Sequence, residues 1–462
     1  MKESPVRKAF SSVAAVFAVA ALLSIQLVLM SAAARAQGAS QIRDAEIEHT
    51  IRALVSPLLT AAGIEPDNVG IHIVNAEPLN AFVARGQRIF ITTGLLKRAE
   101  HPGQLMGVLA HEIGHITGGH LARLEGAISD AQDQAMIGTI IGVALGVLAG
   151  QGDVGAAATA KGQDIALRNL LKFTRVQERS ADQVAVNLLD ETQYSAKGLL
   201  EFFEILEDQE LLTRTNQDPY LITHPLTRDR IAFIRNHVQS ARGKDRKISP
   251  EMMAAHERMV AKLDGFINPP AQTLRDYKAD DPSVKARYAR AVALYRAARM
   301  DEALPVIDGL IGESPKDPYF HELRGQMLFE NGRLEEALAP YRESVRLAPN
   351  EPLLRVGLAH VQIELNRPEL NSEALANLEQ AVRYDRYMPM AWRLAAIAYG
   401  RDGRLGLSAL ALAENNMLTG HYLDANGQAK KAMRLLKENS PAWLRAQDLA
   451  GTAERQYRKK NK

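Results

Sequence analysis

The residues of this chain best suited to chemistry are His111-Glu112-Ile113-Gly114-His115. Around them Leu105, Val108, Leu109, Ile113 and Ile116 recur at three- and four-residue steps, the period of one buried helix face. On such a helix His111 and His115 are four residues apart and project from the same side. Two neutral imidazoles so placed can hold two corners of a tetrahedral zinc. Glu112 sits about a third of a turn round, where a carboxylate can take the proton from a metal-activated water at neutral pH. The bland alternative is a helix that merely carries two histidines. The apolar flanks favour a site shielded from water. Gly114, Gly118 and Gly119 are poor helix formers in or just after the motif, and they make sense if another part of the chain packs close by.

A second stretch completes the chemistry. The long helix expected over Leu167 to Leu189 carries Glu178 and Asp182, four apart and therefore on one face. Glu178 can supply a third zinc ligand and leave one corner for water. Asp182 can accept a hydrogen bond from a ligating imidazole and fix its tautomer. The alternative is a solvated acidic pair among Arg175 and Arg179. A longer zinc motif, with a third histidine six residues beyond His115, is excluded by register. That position is Leu121, and His120 comes one residue early. On a continuing helix His120 points elsewhere, so it reads as structural, with room for a polar role near the site.

These residues need elements to position them. Gln41 to Leu59 has a helical pattern. Val69 to Val74 is β-branched and short. Ala81–Arg85 and Arg88–Thr92 flank Gly86-Gln87, a hairpin signal. A strand beside the motif helix can bind an extended peptide at its edge, or can be an ordinary structural hairpin. Residues 135–162 are apolar and dotted with glycine, either a hairpin or a gating and membrane-contacting segment; as a helix the apolar part is short for a bilayer span. His224 precedes Pro225 in a loop, and Arg228 to Val238 is again helical. A polar segment from Gln239 to Pro250 marks a boundary. Helix is expected over 251–282, interrupted at Pro269-Pro270.

The chain of 462 residues is long enough for two or three domains, and 46% hydrophobic residues suffice for real cores. It has no cysteine, which excludes disulfides, thiolate metal sites, a thiol nucleophile and a lipoprotein anchor. Lys2, Arg7 and Lys8 precede an apolar run from Phe10 to Met30, and Ala34-Arg35-Ala36 offers a cleavage site before Gln37. A cleavable signal peptide over 1–36 is the reading, with an uncleaved inner-membrane anchor as the alternative. Either way the remainder is exported. Removing Lys2, Arg7, Lys8, Arg35 and Glu3 from 56 basic and 54 acidic residues leaves a net charge near −1. That balance gives no electrostatic footing for nucleic acid.

From about residue 283 the chain turns into alanine-rich helical repeats. Met300-Asp-Glu-Ala-Leu304 recurs as Leu334-Glu-Glu-Ala-Leu338, and Pro315 and Pro318 recur as Pro349 and Pro352, both shifted by 34 residues. This period fits tetratricopeptide repeats, with two clear units and about two weaker ones near Glu373, Pro389 and Pro441. Such arrays present a concave face to peptides or proteins, or else only brace a neighbouring domain. The expected organisation is a signal peptide at 1–36, a metallopeptidase domain at 37–245, a helical linker at 246–282 and a repeat domain at 283–456. The expected fold class is mostly α: an α+β zinc metallopeptidase domain with a small sheet, then an α-helical repeat solenoid.

Taken together, the His111–His115 helix, the Glu178–Asp182 helix, Thr223-His224-Pro225 and the Asn80-Ala-Phe82 strand resemble zinc metallopeptidases of the HtpX and CAAX-prenyl-protease type. With the export signal and the repeats, the likeness is to the BepA-like branch, periplasmic proteases and chaperones that serve outer-membrane protein assembly. The resemblance covers nearly the whole chain after the signal. It implies one zinc per chain, held by His111, His115 and Glu178. It makes Glu112 the general base and places Asp182, the other carboxylate assigned to catalysis, behind the ligands. His224 matches a histidine that occupies the open zinc position and holds such enzymes latent, and Arg230 matches an arginine near the site. The implied partners are unfolded or misassembled outer-membrane proteins and, through the repeat face, the assembly machinery. A repeat-based chaperone or adaptor with a rarely open peptidase is the rival function. The run 135–162 falls where the family has a mobile loop, but it is more apolar and glycine-rich than a simple lid requires.

Overall fold

The computed structural model describes residues 41–84, 87–120, 161–212, 224–240 and 248–460. The leader 1–36 and the glycine-rich run to residue 160 lie outside these residues. Contacts divide the chain into two units, residues 1–42 with 51–253, and residues 43–50 with 254–462.

In the first unit, Gln41–Ile42 forms a short strand, β1, where the sequence pattern predicted helix. The helix α1 begins only at Ala45, among residues 43–50 that group with the second unit, and runs to Ala61. The reason is a cap: Asp44 Oδ1 accepts the Ile47 N–H at 2.9 Å, which fixes the start of the helix and frees the residues before it to pair as strand. β2 (Gly70–Val74), β3 (Ala81–Ala84) and β4 (Arg88–Thr92) complete a four-stranded sheet in the order β1-β2-β4-β3. β2 and β4 run parallel, while β3 and β4 form the antiparallel hairpin the sequence announced, with Ala81 opposite Ile91 and Ala84 opposite Arg88. Alternate residues Ile89 and Ile91 point into the core.

Thr92 ends β4 and caps the next helix, α2 (Thr93–Arg98), its hydroxyl accepting the Leu95 N–H. The motif helix α3 (Pro102–Thr117) follows. Pro102 occupies its first position and the His101 ring caps it by accepting the Gly103 N–H. Almost every side chain from Pro102 to Gly114 is buried, so α3 is a core helix rather than a surface one. Two further helices, α4 (Lys161–Glu191) and α5 (Lys197–Leu212), pack on it. Glycine sets the closeness of that packing. A Cβ on Gly107 would lie 2.7 Å from Leu199 Cα, and one on Gly114 would lie 2.7 Å from the Ala181 carbonyl oxygen. The helix α6 (Arg228–Ser240) closes the far side against α4 and α5.

In the second unit, α7 (Pro250–Ile267) and α8 (Pro270–Asp276) break at Pro269-Pro270 as expected. Five antiparallel helix pairs follow: α9 and α10 (Val284–Arg296, Met300–Glu313), α11 and α12 (Pro318–Glu330, Leu334–Leu347), α13 and α14 (Pro352–Glu364, Pro368–Tyr384), α15 and α16 (Pro389–Arg401, Leu405–Leu418), and α17 and α18 (Tyr422–Leu435, Pro441–Lys460). The pairs beyond residue 352, weak in sequence, are regular helix hairpins. The Tyr341 ring wedges between the helices on either side of α12, against Gly325 and Gly357, where a Cβ would collide with it. Such ring-into-glycine packing joins neighbouring repeats, which bury little on their own.

Candidate metal centre

His111 and His115 lie on one face of α3, as their spacing requires, and their Nε2 atoms are 3.0 Å apart. α4 brings Glu178 against both. Its Oε2 is 3.3 Å from His111 Nε2, and its Oε1 is 3.4 Å from His115 Nε2. The loop before α6 adds His224, whose Nδ1 is 3.3 Å from His111 Nε2 and 3.3 Å from Glu178 Oε2. One donor atom from each of these four residues falls within 4.8 Å of all the others. On a tetrahedral ion with bonds of about 2.0–2.1 Å, ligand atoms sit about 3.3 Å apart. The observed spacings match that edge length. The donor set therefore fits a metal ion, and among the described residues it is the one such group of four.

The charges around the donors are arranged rather than accidental. Burial disfavours charge on His111, but its contacts with Asp182 and Glu178 overcome that and push it up to about 9. Its Nδ1 lies 2.9 Å from Asp182 Oδ1. Burial, with cationic His111 nearby, pushes His115 well below the usual imidazole range, so His115 offers a neutral ring while His111 must give up a proton to ligate. Burial works to raise Glu178, yet His224 and His111 hold it well below the usual carboxylate range. Asp182 is also lowered against its burial, chiefly by the Arg230 guanidinium. Arg230 reaches Asp182 with Nε at 2.6 Å and Nη2 at 2.8 Å, Glu178 with Nη1 at 3.0 Å, and the Pro225 carbonyl at 2.9 Å. It thus ties the carboxylates of α4 to the loop that carries His224.

Glu112 is different. It is fully buried, and neither carboxylate oxygen has a hydrogen-bond partner among the described residues. Burial pushes its pKa up. Its Oε1 is 3.6 Å from His224 Nε2. A buried carboxylate without donors favours its protonated form and is primed to exchange a proton.

The sequence-predicted residues His111, Glu112, His115, Glu178, Asp182, His224 and Arg230 all converge here. His120 does too, against the expectation that it points elsewhere. α3 stops at Thr117 and Gly119 takes a left-handed φ of +60°, so the helical register no longer applies by residue 120. The early stop is the sequence signal: Gly118-Gly119 directly after the helix. The glycine expectation holds for Gly114, which meets α4. It fails for Gly119, which has nothing within 4 Å of its missing Cβ and is there for its backbone angle, and for Gly118, whose neighbour is His120 itself.

Residues 41–238 match peptidase family M48. The chain is a metalloprotease, similar over this segment to family M48 peptidases. The M48 match spans all four donors together with Glu112, Asp182 and Arg230. Residues 271–318 and 288–352 match tetratricopeptide repeats. The chain is 26% identical over 377 residues to a beta-barrel assembly-enhancing protease of Yersinia pestis, covering 80% of this chain and 75% of that one. It is 25% identical over 406 residues to a protein of the same description from Escherichia coli (strain K12), covering 86% and 81%. A solved structure of MamA matches 36% of this chain and 98% of its own at 15% identity with a TM-score of 0.31.

Proposed function

We propose that this metalloprotease is a periplasmic zinc endopeptidase that removes unfolded or misassembled outer-membrane proteins, with its tetratricopeptide repeats contributing a chaperone-like binding role. The observation that carries the proposal is the convergence of four metal donors beside Glu112, a buried carboxylate with no hydrogen-bond partner among the described residues. His111, His115 and Glu178 would hold one zinc, and His224 lies where a fourth ligand would sit. When bound, zinc supplies Lewis acidity toward a peptide carbonyl and toward water. Glu112 accepts the proton of the attacking water and passes it to the leaving amine, a role its raised pKa suits. Asp182 holds the His111 ring, and Arg230 fixes Asp182 and Glu178. Among the described residues β3 is an edge strand lying against α3, and such an edge suits an extended peptide. The M48 and repeat matches, and the two relatives named for beta-barrel assembly, support the substrate and compartment. Among the described residues no helix is long and apolar enough to cross a membrane. We read residues 1–36 as the export signal and residues 37–245, 246–282 and 283–456 as peptidase domain, linker and repeat domain.

The position of His224 favours a second reading of the same site, a latent one. Its Nδ1 stands among the other donors and its Nε2 faces Glu112. An imidazole there would keep water from a bound metal. The test is cleavage of an unfolded protein by residues 37–462 with metal content measured, beside Glu112→Gln and His224→Ala. About one zinc per chain, with cleavage lost in Glu112→Gln while zinc stays, is the expected result; cleavage raised in His224→Ala adds latency. No bound zinc would sink the metal-centre reading.

A further inference from the structure

The two histidines of α3 are held from behind by different groups. His111 Nδ1 faces the Asp182 carboxylate at 2.9 Å. His115 Nδ1 faces another imidazole, His120 Nδ1 at 3.0 Å, with the rings edge to face at 82° and centroids 5.0 Å apart. His120 is buried, and its carbonyl oxygen accepts from Gln177 Nε2 at 3.4 Å, one residue before the ligand Glu178 on α4. The backbone is built to bring it there. Gly118 takes the helix end, Gly119 turns the chain with φ +60°, and the His120 ring folds back over Gly118. A Cβ on Gly118 would lie 2.3 Å from His120 Nε2 and displace the ring.

We infer that His120 is a positioning residue for His115: it accepts the His115 Nδ1–H, fixes the tautomer that leaves Nε2 free to ligate, and locks the ring toward the metal. The inference rests on the metal-centre reading above. The proton assignment follows from geometry. An Nε2 that gives its lone pair to a metal leaves the proton on Nδ1, so His115 donates, His120 Nδ1 accepts, and the His120 proton resides on Nε2. The choice of a neutral acceptor has a physical reason. Glu112, Glu178 and Asp182 already place three carboxylates in a buried pocket whose fixed cation is Arg230. A fourth carboxylate behind His115 would add a buried charge with no counter-ion. An imidazole orients the ligand without it.

The test uses the full exported chain and zinc itself. Zinc affinity is measured by competition with a chromophoric chelator for wild type, His120→Phe, His120→Asn and Gly118→Ala, beside thermal melts of the metal-free proteins. His120→Phe keeps a ring and loses both nitrogens, and it is expected to weaken zinc binding about 10- to 100-fold. His120→Asn keeps an acceptor near Nδ1 and should recover most of that loss. Gly118→Ala should weaken zinc as His120→Phe does, by pushing the ring away. Metal-free melts should match wild type. Zinc bound as tightly by His120→Phe as by wild type overturns the inference and leaves the metal centre standing. A metal-free melt that falls with the affinity, unrescued by asparagine, assigns His120 a merely structural role and overturns it as well. Where the variants do not fold, nitrogen NMR of the histidine-labelled wild type decides: His120 protonated on Nε2 supports the inference, and protonation on Nδ1 overturns it. A wild type that takes no zinc sinks both readings together.

Discussion

Arg230 carries the charge balance of the buried site. It is 2% exposed and contacts Asp182 twice and Glu178 once. Removing one partner of a buried ion pair leaves the other charge uncompensated, at about 3–5 kcal/mol. Arg230→Met keeps the packing on the Phe203 ring, 4.9 Å away, but strands two carboxylates. Unfolding of the metal-free protein in urea should show a loss of that size; a loss under about 1 kcal/mol, within the range of an exposed pair, would mean that water reaches the site. The candidate ligands on the helices were legible in the sequence because their spacing is local. His111 with His115, and Glu178 with Asp182, each sit four apart on a helix. Arg230 and His224 were not derivable that way. They reach the site from a loop and a separate helix, so only the resemblance singled them out. The polar role left open for His120 near the site fits its contact with His115, but its direction was misread, because its position depends on where α3 ends, and helix ends are the least certain part of a sequence reading.

The helices align these residues by touching backbone to backbone. Gly114 stands between the two histidines of the motif, and a Cβ there would meet the Ala181 carbonyl oxygen at 2.7 Å and Ala181 Cα at 2.9 Å. Backbone cannot swing aside as a side chain can, so α3 and α4 must separate. Gly114→Ala should cost about 1–3 kcal/mol by overpacking. Because α3 carries the histidines and α4 carries Glu178, the same displacement should weaken zinc binding. Chemical denaturation and chelator competition on one preparation check both, and a stable variant with wild-type affinity would show that α4 can shift without moving Glu178. The sequence pointed to close packing at this glycine but not to its partner, since Ala181 is distant in the chain. The start of α1 was hidden for the opposite reason. Residues 41 and 42 fit a helical pattern, and only the Asp44 cap and the β2 edge turn them into strand.

Across the molecule, the repeats were legible for as long as their spacing held. Val284, Pro318 and Pro352 open successive pairs at intervals of 34 residues, but Pro389 comes 37 after Pro352, because α14 has 17 residues where α10 and α12 have 14. The fold absorbs the extra turn; a search for a fixed period does not. Wholly invisible in the sequence is the polar knot in the second unit. Lys262, with no exposure, lies 2.8 Å from Asp44, 3.3 Å from Glu46 and 3.5 Å from Glu322, and Glu46 also accepts the Tyr288 hydroxyl at 2.6 Å. Its members are spread from residue 44 to residue 322, so no local pattern marks them. The knot should make this unit sensitive to pH. Burial, with Asp44 and Glu46 close by, pushes Glu322 up to about 7 although Lys262 pulls it down. The unfolded chain releases the Glu322 proton near its ordinary value, about 4.3, while the folded chain keeps it to about 7. Folding is therefore favoured by this group at low pH, and that contribution is lost as pH rises through the window between the two values, with a limiting slope of about 1.4 kcal/mol per pH unit. In Glu322→Gln nothing titrates at that position. Urea midpoints of the second unit, followed from pH 5 to pH 8, should fall with rising pH in the wild type and fall less in the variant. Parallel pH profiles would show instead that Lys262 keeps Glu322 ionised throughout.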